Sequence, residues 1–298
     1  MTDLPTTELI VFALVILLSI SAALVAFFQL HPGGEKLKLT LNILLSLVLI
    51  GDAKILVLRA VAIKALPLTG LFESMLLLTI MLVVIYLILS SAIRQVWFGS
   101  VMTWFILALI MLTALIAQPA SAPDALAGQP WAIAHALAMI FGAAMILLAA
   151  VMAYLYLLGC RRLKHKEIAR VIGKVPNIQW LERINLISLW AAFILVTLGA
   201  ASGILGAWLE REMLETNFAR WLFDSKILGI LITWVLLIIV LVLHGLRLIR
   251  GKRTAQTTII AFVWILFALV GCAILCKTKH DFTFPGSWLP TQTREVDR

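Results

Sequence analysis

Stretches of about 20 consecutive apolar residues recur along almost the whole chain, and that repetition limits what it can fold into more than any other feature. Backbone amides inside hydrocarbon must be satisfied within the protein, so spanning segments are either helices or strands of a closed barrel. These runs are too long and too uniformly apolar for barrel strands, whose residues alternate in polarity. The expectation is an all-α, polytopic helical bundle with about eight transmembrane helices, near 8–30, 39–63, 70–93, 98–118, 131–158, 183–208, 223–249 and 256–276. Composition agrees: 63% of the 298 residues are apolar and 13% charged, too little polar surface to coat a water-soluble globule. Connections are short, so residues 1–298 read as a single integral membrane domain. The first apolar run begins at Leu9 after a short acidic start, with no basic region before it and no small-residue cleavage site. It reads as a retained helix, not a removed signal peptide.

Basic residues set the expected orientation, because Lys and Arg near helix ends are retained on the cytoplasmic side. Connections 31–38, 92–97, 160–183 and 245–253 hold 14 of the 24 Lys and Arg, against 9 on the opposite side and Lys54 inside the second helix. Both termini should then lie on the non-cytoplasmic side, with membrane lipids as neighbours. The net charge of +9 is mostly a topology signal, with anionic headgroups as a secondary contact. No basic segment is interleaved with aromatics in a way that suggests nucleic acid. Cys160, Cys272 and Cys276 have no further Cys or His at metal spacing and read as small buried or lipid-facing residues. Gly-rich phosphate loops, zinc-ligand clusters and nucleophile elbows are all missing, which leaves hydrolase and kinase readings without support.

Ionisable groups at membrane depth are costly, so each deserves a role. Asp52 and Arg59 are seven residues apart on one stripe of helix two, whereas Lys54 points elsewhere. They could line a path for a ligand or proton. Equally, Arg59 could snorkel to the outer surface and pair with Glu73 while Asp52 and Lys54 meet partners on neighbouring helices. Pro67 and Gly70 punctuate a turn, after which Glu73 complements the positive end of helix three. His135 lies about one turn into helix five beside Trp131, either an interfacial residue or an axial ligand to haem iron. Trp208, Trp221, Phe223 and Asp224 crowd the connection between helices six and seven, as an interfacial belt or as a surface for a flat porphyrin. His280 precedes an aromatic tail with Phe282, Phe284 and Trp288. His135 and His280 flanking an aromatic patch on one outer face is the constellation that suggests a cofactor. His31 and His165 read as solvated loop residues, and His244 lies near the inner end of helix seven.

Taken in order, these pieces resemble the cytochrome c assembly family of CcsA/HemX-type membrane proteins, from about residue 40 to the end. Arg59, Pro67-Leu68 and Phe72-Glu73-Ser74 look like the family's Arg, Pro-Leu and Tyr-Glu-Ser before a helix. Trp131 and His135 look like its external histidine segment. Leu163-Lys164, Pro176, Leu181-Glu182-Arg183, Phe193, Thr197 and Gly203 follow its loop and the helix leading to its tryptophan-rich segment. Asp224, Lys226, Thr233-Trp234 and Gly251-Lys252-Arg253-Thr254-Ala255 keep its spacing.

The resemblance implies a bacterial inner-membrane protein that binds or presents haem between two external histidines, His135 and His280, on a platform including Trp208, Trp221 and Asp224. Other cytochrome c maturation proteins and apocytochrome c would be its partners, and its task would be haem handling, not bond-making catalysis. Some positions depart from the pattern, as in a divergent bacterial branch. Asn217 and Phe223 stand where Trp is expected, Asp52 where an intramembrane histidine is expected, and His244 falls about two residues from the other. These departures argue against an internal bis-histidine haem. Two alternatives use the same bundle: a haem-free scaffold or regulatory partner in a tetrapyrrole-related or other membrane complex, and a transporter of another solute built on Asp52, Lys54 and Arg59.

Overall fold

Proline, glycine and charge divide the apolar runs into helices. The computed structural model describes residues 4–63, 66–68, 70–93, 95–116, 129–164, 177–209 and 225–267. Within them run α1 (Thr6–Phe28), α2 (Lys38–Ile63), α3 (Leu71–Ala92), α4 (Val96–Ile116), α5 (Pro130–Lys164), α6 (Ile178–Leu209), α7 (Ser225–Gly245) and α8 (Lys252–Leu266). No strand occurs among the described residues. Seven of the helices, α1 to α7, are long and apolar enough to cross a membrane. The expected eighth span, 256–276, overlaps α8, and its part from 268 to 276 lies outside the described residues.

Chain punctuation explains several boundaries. Pro130 opens α5, where a missing N–H costs nothing. Gly33, at φ 82°, turns the chain between α1 and a short 3-10 turn, Gly34–Leu37, in a left-handed conformation that favours glycine. Asn177 caps α6 by accepting the Gln179 N–H at 2.9 Å. That helix therefore starts five residues before the expected 183, and α5 runs six residues beyond the expected 158. In both cases the apolar run ends at the membrane surface, but good helix formers carry the helix onward into water. The 35 residues of α5 extend ~52 Å, well beyond a ~30 Å hydrocarbon layer.

The helices pack as two linked rings of four. In the first, α1 lies against α2 and α4, and α3 closes the ring between α2 and α4. In the second, α5 lies against α6 and α8, with α7 between those two. Contacts of α5 with α3 and α4 join the rings. Burial on α1 falls at Glu8, Phe12, Val15, Ser19, Ala22 and Ala26, and on α2 at Leu41, Leu45, Val48, Asp52, Ile55 and Arg59. Alternating steps of four and three describe the seam of a left-handed helix pair. Lipid tails give no hydrophobic drive for helix association, so close fit must supply it. Small residues allow that fit: a Cβ on Gly51 would lie 2.5 Å from Val15 Cγ2.

Polar contacts fix the order of the helix ends. Lys38 Nζ donates to the carbonyls of Ser90 and Ile93 at 2.6 and 2.9 Å, closing the last turn of α3. Tyr86 donates to Asn42 Oδ1 at 2.7 Å, and Ser100 to the carbonyl of Ala26 at 2.7 Å. The Arg162 guanidinium covers the Trp97 ring at 4.4 Å, joining the end of α5 to the start of α4. Gly251 N–H donates to Glu182 Oε1 at 2.8 Å, and Asn185 donates to Thr258 at 3.3 Å, holding α8 on α6. These ties gather Lys38, Arg162 and Glu182 at one end of the bundle. The beginnings of α1, α3 and α5 consequently share the other end.

Candidate functional site

At that other end, α5 and α6 approach through a ladder of large residues on one helix and glycines on the other. Trp131, His135 and Met139 of α5 face Gly206, Gly203 and Gly199 of α6, and Gly142 faces Val196 one step further on. A Cβ on Gly203 would sit 2.7 Å from His135 Nδ1, and one on Gly199 would sit 2.7 Å from Met139 Sδ. On Gly206 it would overlap the Trp131 ring. Three glycines of α6 therefore leave the space that the Trp131, His135 and Met139 side chains fill.

That approach orients His135. Its Nδ1 lies 2.7 Å from the Gly199 carbonyl oxygen. A carbonyl can only accept, so Nδ1 carries the proton and the neutral ring has its lone pair on Nε2. A backbone carbonyl on one imidazole nitrogen is the usual way to present the other to a metal. The side chain is half-buried, with Trp131 one turn before it and Met139 one turn after. Below it, Met139, Ala143, Ile146, Val196, Ile230, Thr233 and Ile265 line a narrow apolar cleft among α5 to α8.

Of the residues expected in the haem site, His135 and Trp208 are described and occupy this end of α5 and α6. Trp208 is 55% exposed, two residues after Gly206. Trp221, Asp224 and His280 lie outside the described residues, as do Cys272 and Cys276. At the opposite, basic end, His244 Nδ1 is 3.3 Å from the Thr254 hydroxyl, far from the site. The glycine ladder was not foreseen, although Gly199, Gly203 and Gly206 recur in the sequence at steps of four and three, the sign of a helix face open to close approach.

A buried ionic cluster occupies the same end of the first ring. Arg59 Nε donates to Glu73 Oε1 at 2.9 Å, and its NH2 lies 2.8 Å from the same oxygen. Arg59 NH1 is 3.5 Å from Glu8 Oε2. The expected Arg59–Glu73 pair forms, but snorkelling does not: Arg59 is 5% exposed. Glu8 on α1 is the partner that the sequence reading missed. Asp52 also departs from expectation. It is fully buried on the same stripe, yet neither carboxyl oxygen has a hydrogen-bond partner. Lys54 is exposed on α2 and forms no hydrogen bond or ion pair with the described residues. Among the described residues no group of three or more His, Cys, Asp and Glu could hold a metal ion.

The profile of one known family, described as Cytochrome C assembly protein, matches residues 68–280. The chain belongs to that family. As a cytochrome c assembly protein it is a multi-pass membrane protein with a role in cytochrome c maturation. The match takes in Glu73, His135, the α6 glycines, Trp208, Trp221, Asp224 and His280. Glu8, Asp52 and Arg59 fall before it. A search of curated proteins found no match to the chain.

Proposed function

We propose that this cytochrome c assembly protein binds haem at its His135 end and presents it to apocytochrome c on the non-cytoplasmic side of a bacterial inner membrane. The observation that carries the proposal is the 2.7 Å contact between His135 Nδ1 and the Gly199 carbonyl, which holds the imidazole in the tautomer whose Nε2 is the ligating nitrogen. Several features support it. Gly203 leaves room for the imidazole, and exposed Trp208 offers an apolar face at the same end of α6. His280 would supply a second ligand, and Trp221 and Asp224 the rest of the platform. When bound, haem supplies the vinyl groups to which cysteine thiols of a cytochrome add. The chain's own residues would hold, orient and partly shield it, with no bond-making group required. The bias of Lys and Arg toward the opposite end supports the orientation, with both termini on the outer side.

The visible spectrum of protein purified in mild detergent tests this reading. A Soret band is expected that weakens in His135→Ala and disappears in the His135→Ala, His280→Ala double variant. If intact protein from haem-supplemented cells is colourless, haem binding is wrong and the haem-free scaffold takes its place.

A further inference from the structure

The outward face of α2 carries one charge that the bundle does not use. Ile43, Leu47, Ile50, Val57 and Val61 are exposed by 51%, 43%, 62%, 62% and 70%, and Lys54 is exposed in the same series. Their steps alternate between four and three, giving a heptad stripe opposite the buried stripe that ends at Arg59. An apolar outer face needs only lipid. Lys54 needs more. It lies nine residues from the end of α2 at Ile63 and sixteen from its start at Lys38, ~14 Å and ~24 Å along the axis. Among the described residues it is the one exposed charge more than two turns from either end of its span, and none of them forms a hydrogen bond or ion pair with it.

Snorkelling relieves such a charge poorly here. Helical side chains lean toward the helix N-terminus, which for Lys54 is the longer way to the interface. A lone basic residue at the centre of a membrane helix costs ~2.5–3.5 kcal/mol on insertion scales, and an opposite charge on a facing helix would offset it. One polar residue in an otherwise apolar heptad seam also fixes register between helices. Among the described residues a second copy of this chain presents no exposed acid on the spans of the first ring: Glu8, Asp52 and Glu73 are all buried within it.

We propose that the Ile43 to Val61 face of α2 docks a transmembrane helix of another protein, in a heptad seam where Lys54 pairs with a carboxylate of that helix. The docking face is on the first ring, away from the His135 ladder, and does not depend on haem.

Energy transfer in phosphatidylcholine vesicles tests it, between labelled full-length protein and a synthetic leucine-rich transmembrane peptide bearing one Glu at the depth of Lys54. The Glu peptide is expected to associate about fivefold more tightly with the native protein than with Lys54→Leu. A Gln peptide should not distinguish the two, and a Lys-bearing peptide should prefer Lys54→Glu. Lys54→Leu alters only the lipid face, so loss of folding is not at issue, and an unchanged haem spectrum separates this result from the haem reading. The proposal is overturned if Lys54→Leu binds the Glu peptide as well as the native protein does. It is also overturned if no peptide binds while phosphatidylglycerol gathers around the protein in a Lys54-dependent way, since the lysine would then serve lipid headgroups.

Discussion

Arg59 and Glu73 are joined by two contacts from one guanidinium to one carboxylate oxygen, 2.9 Å from Nε and 2.8 Å from NH2, with both side chains buried. Glu8 adds a third group from α1, so a single arginine holds the ends of three helices together. Removing one member leaves the others as uncompensated buried charge. Arg59→Met should lower stability by about 3–5 kcal/mol. The triple variant Arg59→Met, Glu8→Gln, Glu73→Gln should recover much of that loss, because it removes the desolvated charges together. Denaturant titration in detergent would compare the two, and a triple variant no better than Arg59→Met alone would refute the account.

Asp52 should behave in the opposite way. Its carboxyl oxygens are buried on the stripe that Arg59 ends, without a hydrogen-bond partner. Burying such a group costs about 1–3 kcal/mol by protein mutational data. Asp52→Leu, of similar width and fully apolar, is therefore expected to stabilise the bundle by about that amount in the same titration. A clear loss of stability would mean that Asp52 has a partner in the membrane, and the transport reading would gain its first support.

The contrast between these residues shows what the sequence discloses. Apolar run length reveals the helices, because bilayer thickness sets it, and the Lys and Arg bias offers an orientation. Helix ends were displaced wherever a helix outlasts its apolar run, as in α5 and α6, since hydropathy detects the bilayer edge and not the last hydrogen bond. The Arg59–Glu73 pair was legible as two charges flanking one turn. Glu8 was not, because it lies a whole helix earlier in the sequence and only packing brings α1 beside the end of α2. His135 was legible as a residue type in an unusual place. Its tautomer was not, since that depends on a carbonyl 64 residues along the chain.

Gly203 should be as intolerant as His135 although it carries no side chain. A methyl group there would lie 2.7 Å from Nδ1, so α5 and α6 must separate or the imidazole must turn and lose the Gly199 carbonyl. Overpacking of this kind costs about 1–3 kcal/mol. Gly203→Ala is expected to weaken the Soret band several-fold with the helices still formed, whereas Gly245→Ala, where a Cβ meets nothing within 4 Å, should leave it unchanged. Equal spectra for the two variants would show that the ladder does not orient the ligand.

Orientation can be read directly with a membrane-impermeant maleimide. Gln129 and Lys164 are both exposed and stand just before and at the end of α5, the helix that links the two faces of the bundle. In a background without Cys160, Cys272 and Cys276, Gln129→Cys should label in intact spheroplasts and Lys164→Cys only in inverted vesicles. The helix supplies an internal control, because its ~52 Å length cannot leave both ends on one side of the membrane. The reverse pattern would place the His135 end in the cytoplasm. The glycine ladder and the Arg59 cluster would stand, but the site could no longer present haem to a cytochrome outside the cell membrane.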